Sequence, residues 1–208
     1  MYTQNDEEKV IMDYFYGNGQ AQLSGTFLDL GANDGVTFSN TRALAEKGWQ
    51  GVLIDASPKA FDKLLMNYQA MSGFEFYQLA ISNSSGPISL SESGPILSLQ
   101  DSENDALVST IDEKERRRWE NYVKYDSVMV ESVTWEDMVK LMTRQYFDFI
   151  SIDIEGSEMF VLPKLDLREV KMVCIEWNSK PELKETFEPF FKGFNLIHIT
   201  GENLIYAR

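Results

Sequence analysis

FLDLGANDGVTFSN, residues 27–40, is the stretch on which the reading of this 208-residue chain turns. Phe27, Leu28 and Leu30 surround one acid, Asp29, and the chain then turns through Gly31 and Gly35 before a helical pattern begins. A short apolar strand that ends in a glycine turn and continues as a helix is the opening βα unit of an open α/β sheet. Working outward, Thr26–Leu30 reads as a strand, Phe38–Lys47 as a helix stopped by Gly48, and GVLIDA as a strand buried on both faces. Pro58 opens a helix whose Phe61, Leu64, Leu65 and Tyr68 share one face, and Phe74–Ile81 reads as a third strand. Upstream, the apolar spacing of Lys9–Tyr16 predicts a leading helix packed on the domain.

Beyond Ser82 the rhythm changes. Gly86-Pro87 and Gly94-Pro95 punctuate PISLS and PILSLQ, which suggests a small hairpin, and EKERRRWENY suggests a short exposed helix. Residues 82–132 are therefore expected to form an insertion, either a lid over a site or a solvated elaboration, within a single domain spanning 1–208. Arg116, Arg117 and Arg118 fit a solvated helix face or an anion-recognition patch. Regular structure resumes with a capping box, Thr134 and Asp137, opening a helix that carries Trp135, Met138, Val139 and Met142. The strand FDFISIDIEG, a helix near Ser157–Leu165, the strand KMVCIEWN and a helix over Pro181–Phe191 follow. FNLIHI and NLIYAR are joined by only TGE, too short for a parallel crossover, so the sheet should end in an antiparallel hairpin.

Composition bounds the function. Nineteen basic against thirty-three acidic residues give a net charge of −14, which repels a phosphate backbone and an anionic membrane face. No nucleic-acid or membrane partner is expected. No apolar run reaches the roughly 18 residues of a membrane span, and MYTQNDEEKV is acidic where a signal peptide is basic, so the expectation is a soluble cytoplasmic protein. The one cysteine, Cys174, sits in an apolar run and reads as a buried small side chain; the one histidine, His198, reads as structural within an edge strand.

In an open parallel sheet, ligands bind beyond the carboxyl ends of the strands. Asp29, Gly31 and Gly35 lie at the first such end and Asp55 closes the second strand, where a carboxylate can accept both hydroxyls of a ribose. Together they describe a nucleoside-containing ligand. A dinucleotide turn needs a second glycine where this chain has Asn33, and Asp29 and Asp34 would repel a diphosphate. S-adenosylmethionine, which carries an ammonium and a sulfonium, suits those acids better. A nicotinamide-dependent oxidoreductase and a non-catalytic S-adenosylmethionine-binding module are the alternatives.

DLGANDG, the acid of LIDASP, LAIS, VTWEDM and above all FDFISIDIEGSEMFVL resemble the FkbM-type S-adenosylmethionine-dependent methyltransferases, from about Gly25 to Asn178 with the insertion as the poorly matching part. The resemblance implies a three-layer, Rossmann-like class I methyltransferase fold, its mostly parallel seven-stranded sheet ending in an antiparallel strand. It also implies O-methylation of a hydroxyl on a sugar or other small acceptor. Carried across by position, Asp29, Gly31, Ala32, Asn33 and Gly35 surround the methionine moiety, Asp55 holds the ribose, and Ala80 with Ile81 edges the adenine. Asp153, Glu155, Gly156 and Glu158 form the family's D-x-E-G-x-E signature. For a hydroxyl acceptor a base is needed, and Asp153 or Glu155, two apart at a strand end, can supply it. Asp153 with Glu176 and Asn178 at the next strand end could also gather three oxygens around Mg²⁺, an arrangement resembling that of catechol-type O-methyltransferases.

Overall fold

The computed structural model describes residues 1–17, 24–96 and 106–208. Its elements run α1 (Glu7–Tyr16), β1 (Thr26–Leu30), α2 (Arg42–Glu46), β2 (Gln50–Asp55), α3 (Pro58–Tyr68), β3 (Phe74–Gln78), β4 (Ala80–Ile81) and β5 (Gly86–Ser93). They continue with α4 (Glu113–Trp119), β6 (Tyr125–Val133), α5 (Trp135–Leu141), β7 (Phe149–Ile152), β8 (Met172–Glu176), α6 (Pro181–Phe187), β9 (Asn195–Ile199) and β10 (Asn203–Ala207). Seven strands make one sheet in the order β3-β2-β1-β7-β8-β10-β9. The first five are parallel neighbours, and β10 runs antiparallel to both β8 and β9. The order reverses between β1 and β7, so a crevice opens where their carboxyl ends diverge.

The apolar runs follow from two covered faces. Leu28, Leu30, Val52, Ile54, Ile150, Ile152, Val173 and Ile175 pack into one layer with Trp135 and Met138 of α5 and Phe187 of α6. Their strand neighbours Phe27, Leu53, Phe149, Met172 and Cys174 turn the other way, against Ile11 and Phe15 of α1, Leu44 of α2 and Leu64 and Tyr68 of α3. Side chains alternate along a strand, so a strand sandwiched between helices is apolar at every position. The result is the expected three-layer α/β architecture with a terminal antiparallel hairpin. Pro58 opens its helix as expected, behind a Ser57 hydroxyl that accepts from Ala60 N–H, and of the expected capping box the Thr134 hydroxyl accepts from Asp137 N–H while the Thr134 N–H goes to Ser85.

Several expected elements differ. The third strand breaks at Leu79: β3 stays in the main sheet, whereas β4 leaves it to pair with β6. β5, which holds PISLS, pairs with β6 from Gly86↔Ser132 to Ser93↔Tyr125, and residues 97–100 of PILSLQ, on which the other arm of the expected hairpin falls, lie outside the described residues. A second sheet, β4-β6-β5, with its own apolar cluster of Ala80, Leu90 and Val130, takes up much of residues 82–132 and draws in β4 from just before them. The helix expected over Phe38–Lys47 begins only at Arg42, because Phe38 has φ +55° and the Ser39 hydroxyl takes the Arg42 N–H. Two 3₁₀ turns, Glu158–Phe160 and Leu162–Lys164, replace the helix near Ser157–Leu165, and the last helix gives way at Glu188 to a 3₁₀ turn holding Pro189. Among the described residues no helix is long and apolar enough to cross a membrane.

Candidate active site

A cavity of about 410 Å³ lies beyond the carboxyl ends of β1, β2, β7 and β8. Its first wall is the glycine turn. Gly31 and Ala32 both donate N–H to the Ile54 carbonyl, at 2.9 and 3.0 Å, and the Asn33 N–H reaches Asp55 Oδ2 at 2.7 Å. These bonds fold the turn across β2 and bring Asp55 under it. Gly31 has φ +82°, and a Cβ there would stand 1.6 Å from the Asp153 carbonyl, so the backbones of β1 and β7 approach more closely than any side chain permits. Asp29 is buried and its Oδ2 accepts the Thr41 hydroxyl at 2.5 Å. Burial pushes Asp29 up to about 7 against the pull of that hydrogen bond, with Asp55 adding repulsion. Burial likewise pushes Asp55 up to about 6, although Ser57 and Asn33 N–H groups stabilise its charge.

Asp29, Gly31, Ala32, Asn33, Asp55, Ala80 and Ile81 all line this cavity. Gly35 does not. It packs against α3, where a Cβ would meet Leu64 and Tyr68 at 2.5 and 2.6 Å, and its φ of +71° serves that helix contact rather than a ligand. Asp34 also turns inward on the loop, accepting from Val36 N–H, Thr37 N–H and the Thr37 hydroxyl.

The second wall is acidic. β7 ends at Ile152, so Asp153 and Glu155 sit in the turn rather than on one strand face as expected. The turn still brings them together: one carboxylate oxygen each of Asp153, Glu155 and Glu176 lies within 4.8 Å of the others. Asp153 and Glu176 interact across the two strand ends, and burial favours the neutral form of each. Asn178 bonds to Glu176 from the next loop. Glu155 is 5% exposed, and its Oε2 has no hydrogen-bond partner. Burial first and then Asp153 hold the Glu155 carboxyl well above the usual carboxylate range; the same two causes act on Glu176. Burial, reinforced by Glu158, pushes Asp153 up to about 7. The third acid of the signature is structural, since Glu158 Oε1 accepts the Gly156 N–H at 3.1 Å.

The third wall comes from the insertion. Residues 106–111, Arg118 and Trp119 line the cavity. This wall is fastened to the acidic turn: the Thr110 hydroxyl donates to the Glu155 carbonyl at 2.7 Å, and Lys180 after β8 pairs with Glu115 at 2.5 Å. Of the three arginines, Arg116 and Arg117 pair with Glu113 along α4, while Arg118 bonds Glu115 and stacks over Trp119. The sequence left this segment open between a lid and a solvated elaboration and did not single out Thr110 or Trp119 as wall residues. His198 pairs with Asp6 at 2.8 Å on β9, outside the cavity, and Cys174 is buried in the core.

Backbone strain marks the same place. Among the described residues, the non-glycine positions with positive φ are Asn33, Phe38, Ala106, Glu155, Asn178 and Ser179, and every one lines the cavity. Such conformations cost on the order of 1–3 kcal/mol each and persist where surrounding structure enforces them, most often at ligand sites.

The profile of the methyltransferase FkbM domain matches residues 29–195, a span that contains the glycine turn, the acidic turn and Glu176. No curated protein matches the chain in sequence. Among solved structures, the ribosomal protein L11 methylase from Lactobacillus delbrueckii subsp. bulgaricus is similar with a TM-score of 0.51 at 10% identity, over 97% of this chain and 75% of that one. A METTL16 MTase domain gives a TM-score of 0.51 at 10% identity, over 96% of this chain and 65% of that one. Monomeric WbdD gives 0.50 at 12% identity, over 98% of this chain and 41% of that one. At such identities these likenesses speak for the fold, and the domain match speaks for the family. The chain belongs to the FkbM methyltransferase domain family and is an S-adenosylmethionine-dependent methyltransferase.

Proposed function

We propose that this protein methylates an oxygen of a small hydroxylated acceptor, a sugar or related polyol, held between the acidic turn and the wall of residues 106–119. The observation that carries the reading is Glu155 Oε2, a buried carboxylate oxygen without a partner in the cavity wall. Asp29, Gly31, Ala32 and Asn33 would hold the methionine part of S-adenosylmethionine, Asp55 its ribose, and Ala80 with Ile81 its adenine. Asp55 is suited to the ribose, because each of its oxygens accepts one backbone N–H and keeps a lone pair for a ribose hydroxyl. When bound, S-adenosylmethionine supplies an electrophilic methyl group on a sulfonium that leaves as a neutral thioether. The acceptor hydroxyl loses its proton to Glu155 or Asp153 as its oxygen gains the methyl group. A carboxylate made basic by burial favours that transfer, worth about 10²–10⁴-fold in rate, and positioning supplies about 7–11 kcal/mol more.

A hard cation belongs to the same proposal. Asp153, Glu155 and Glu176, with Asn178 adjoining, gather carboxylate oxygens within 4.8 Å of one another, which a small closure would bring onto a hard cation such as Mg²⁺, and the unpartnered Glu155 oxygen is free to ligate it. There it would offset the crowded carboxylates and acidify an acceptor hydroxyl. The net charge of −14 supports a neutral acceptor over a polyanion. The test is transfer of labelled methyl from S-adenosylmethionine to a panel of glycans, phenols and amines, with and without chelator. Base-stable O-methyl products on polyols are expected. Products confined to amines would overturn the oxygen acceptor, and activity indifferent to chelator would remove the cation.

A further inference from the structure

We infer that the side-chain oxygen of Asn40 accepts a hydrogen bond from the α-ammonium of the bound methyl donor, beside Asp29. The inference rests on the placement of the methionine moiety proposed above and adds a residue to it. Asn40 lines the cavity in the loop between the glycine turn and α2. Its Nδ2 donates to Ser151 Oγ at 3.2 Å, and its Oδ1 is buried with no partner. The next residue, Thr41, donates to Asp29. Ser151 and Asp29 are register partners on β7 and β1, so consecutive loop residues clamp onto adjacent strands. The clamp leaves two acceptors, the Asp29 carboxylate and Asn40 Oδ1, in the cavity wall at the switch point. A buried acceptor without a donor costs about 1–3 kcal/mol, so a ligand is the natural source of the missing N–H. At the amino-acid end of S-adenosylmethionine the carboxylate only accepts and the sulfonium has no hydrogen. The ammonium, with three N–H groups, is the one complementary donor.

Titration of the full chain with S-adenosylhomocysteine and with 5′-methylthioadenosine, which keeps the nucleoside but lacks the ammonium, tests this. Asn40→Ala should weaken S-adenosylhomocysteine about 10–100-fold, the worth of a hydrogen bond to a charged group, and leave 5′-methylthioadenosine unchanged. Asn40→Asp should keep or improve affinity, because a carboxylate at that place still accepts from the ammonium. Wild-type affinity in Asn40→Ala, equal loss of both ligands, or failure of Asn40→Asp to rescue would each overturn the role of Asn40. Absence of S-adenosylhomocysteine binding by the folded wild-type chain would overturn the placement of the donor itself.

Discussion

The turns after β1 and β7 lie side by side at the switch point, yet they handle buried charge in opposite ways. After β1 the acids are supplied with donors: Thr41 for Asp29, three groups of the loop for Asp34, and two backbone N–H groups for Asp55. After β7, Asp153 and Glu176 crowd together with their carboxyls pushed up by burial, and Glu155 keeps an unpartnered oxygen on a backbone at φ +46°. A satisfied turn is rigid before any ligand arrives and suits a binding surface, whereas a frustrated one holds reactive groups that a substrate or cation relieves. The contrast can be broken experimentally at both turns.

The largest effect is expected where the two turns touch. Gly31→Ala drives a methyl group into the Asp153 carbonyl in a left-handed conformation and should cost roughly 3–5 kcal/mol, enough to abolish a stable fold. Gly193→Ala, also at positive φ but with open space around it, should cost about 1–2 kcal/mol. Denaturant midpoints compare them. If the two variants differ by less than the strain of a single residue, the close approach of β1 and β7 is wrong.

Next comes the frustrated turn alone. Glu155→Gln should lower kcat about 10²–10⁴-fold while S-adenosylhomocysteine binds as in wild type, since the residue faces the acceptor side. Removing one of three crowded carboxylates should also raise the melting temperature of the ligand-free protein at pH 8. Lost cofactor affinity with unchanged kcat would erase the division of labour between the turns.

The satisfied turn still carries a burial cost, and pH exposes it. Asp29, held near 7 when folded against an ordinary 3.8, binds its proton more tightly in the folded state than in the unfolded one. Its contribution to stability is therefore complete below about pH 4 and is lost as pH rises toward 7, at up to about 1.4 kcal/mol per unit. Asp29→Asn keeps an acceptor for Thr41 and removes the titration, so its stability should fall less from pH 4 to 7, read as thermal midpoints across that window. Parallel profiles for the two proteins would show that Asp29 is not so strongly desolvated.

How far each turn was legible in the sequence follows from the same physics. Continuous apolar runs such as GVLIDA and MVCIEW announce strands covered on both faces, and TGE admits only an antiparallel return, so the main sheet could be read directly. Gly31 and Gly35 look alike in the sequence, but one meets a neighbouring strand and the other a helix, a distinction made by packing. The pairing of β5 with β6 joins Ser93 to Tyr125 across a long interval, and short polar segments such as PISLS carry no local mark of their partner. Asp153 and Glu176 were visible as acids at strand ends, whereas the inward rotation of Glu155 depends on a positive φ and on Thr110, neither of which periodicity encodes.

That last link yields the smallest and most discriminating effect. The Thr110 hydroxyl holds the Glu155 carbonyl from a loop that otherwise belongs to the second sheet, through Ser91, whose backbone exchanges two hydrogen bonds with Thr110. Thr110→Val preserves shape and removes the donor, leaving a carbonyl of a strained residue unsupported, at a cost of about 1 kcal/mol in stability. If the insertion merely decorates the domain, nothing more follows. If it sets the reactive turn, the variant should lower kcat/KM for the acceptor severalfold while S-adenosylhomocysteine affinity stays constant, and Thr110→Ser should restore the loss. Among the described residues Thr110 makes no hydrogen bond to the turn after β1, so a parallel fall in cofactor affinity would mean that the two turns form one mechanical unit after all.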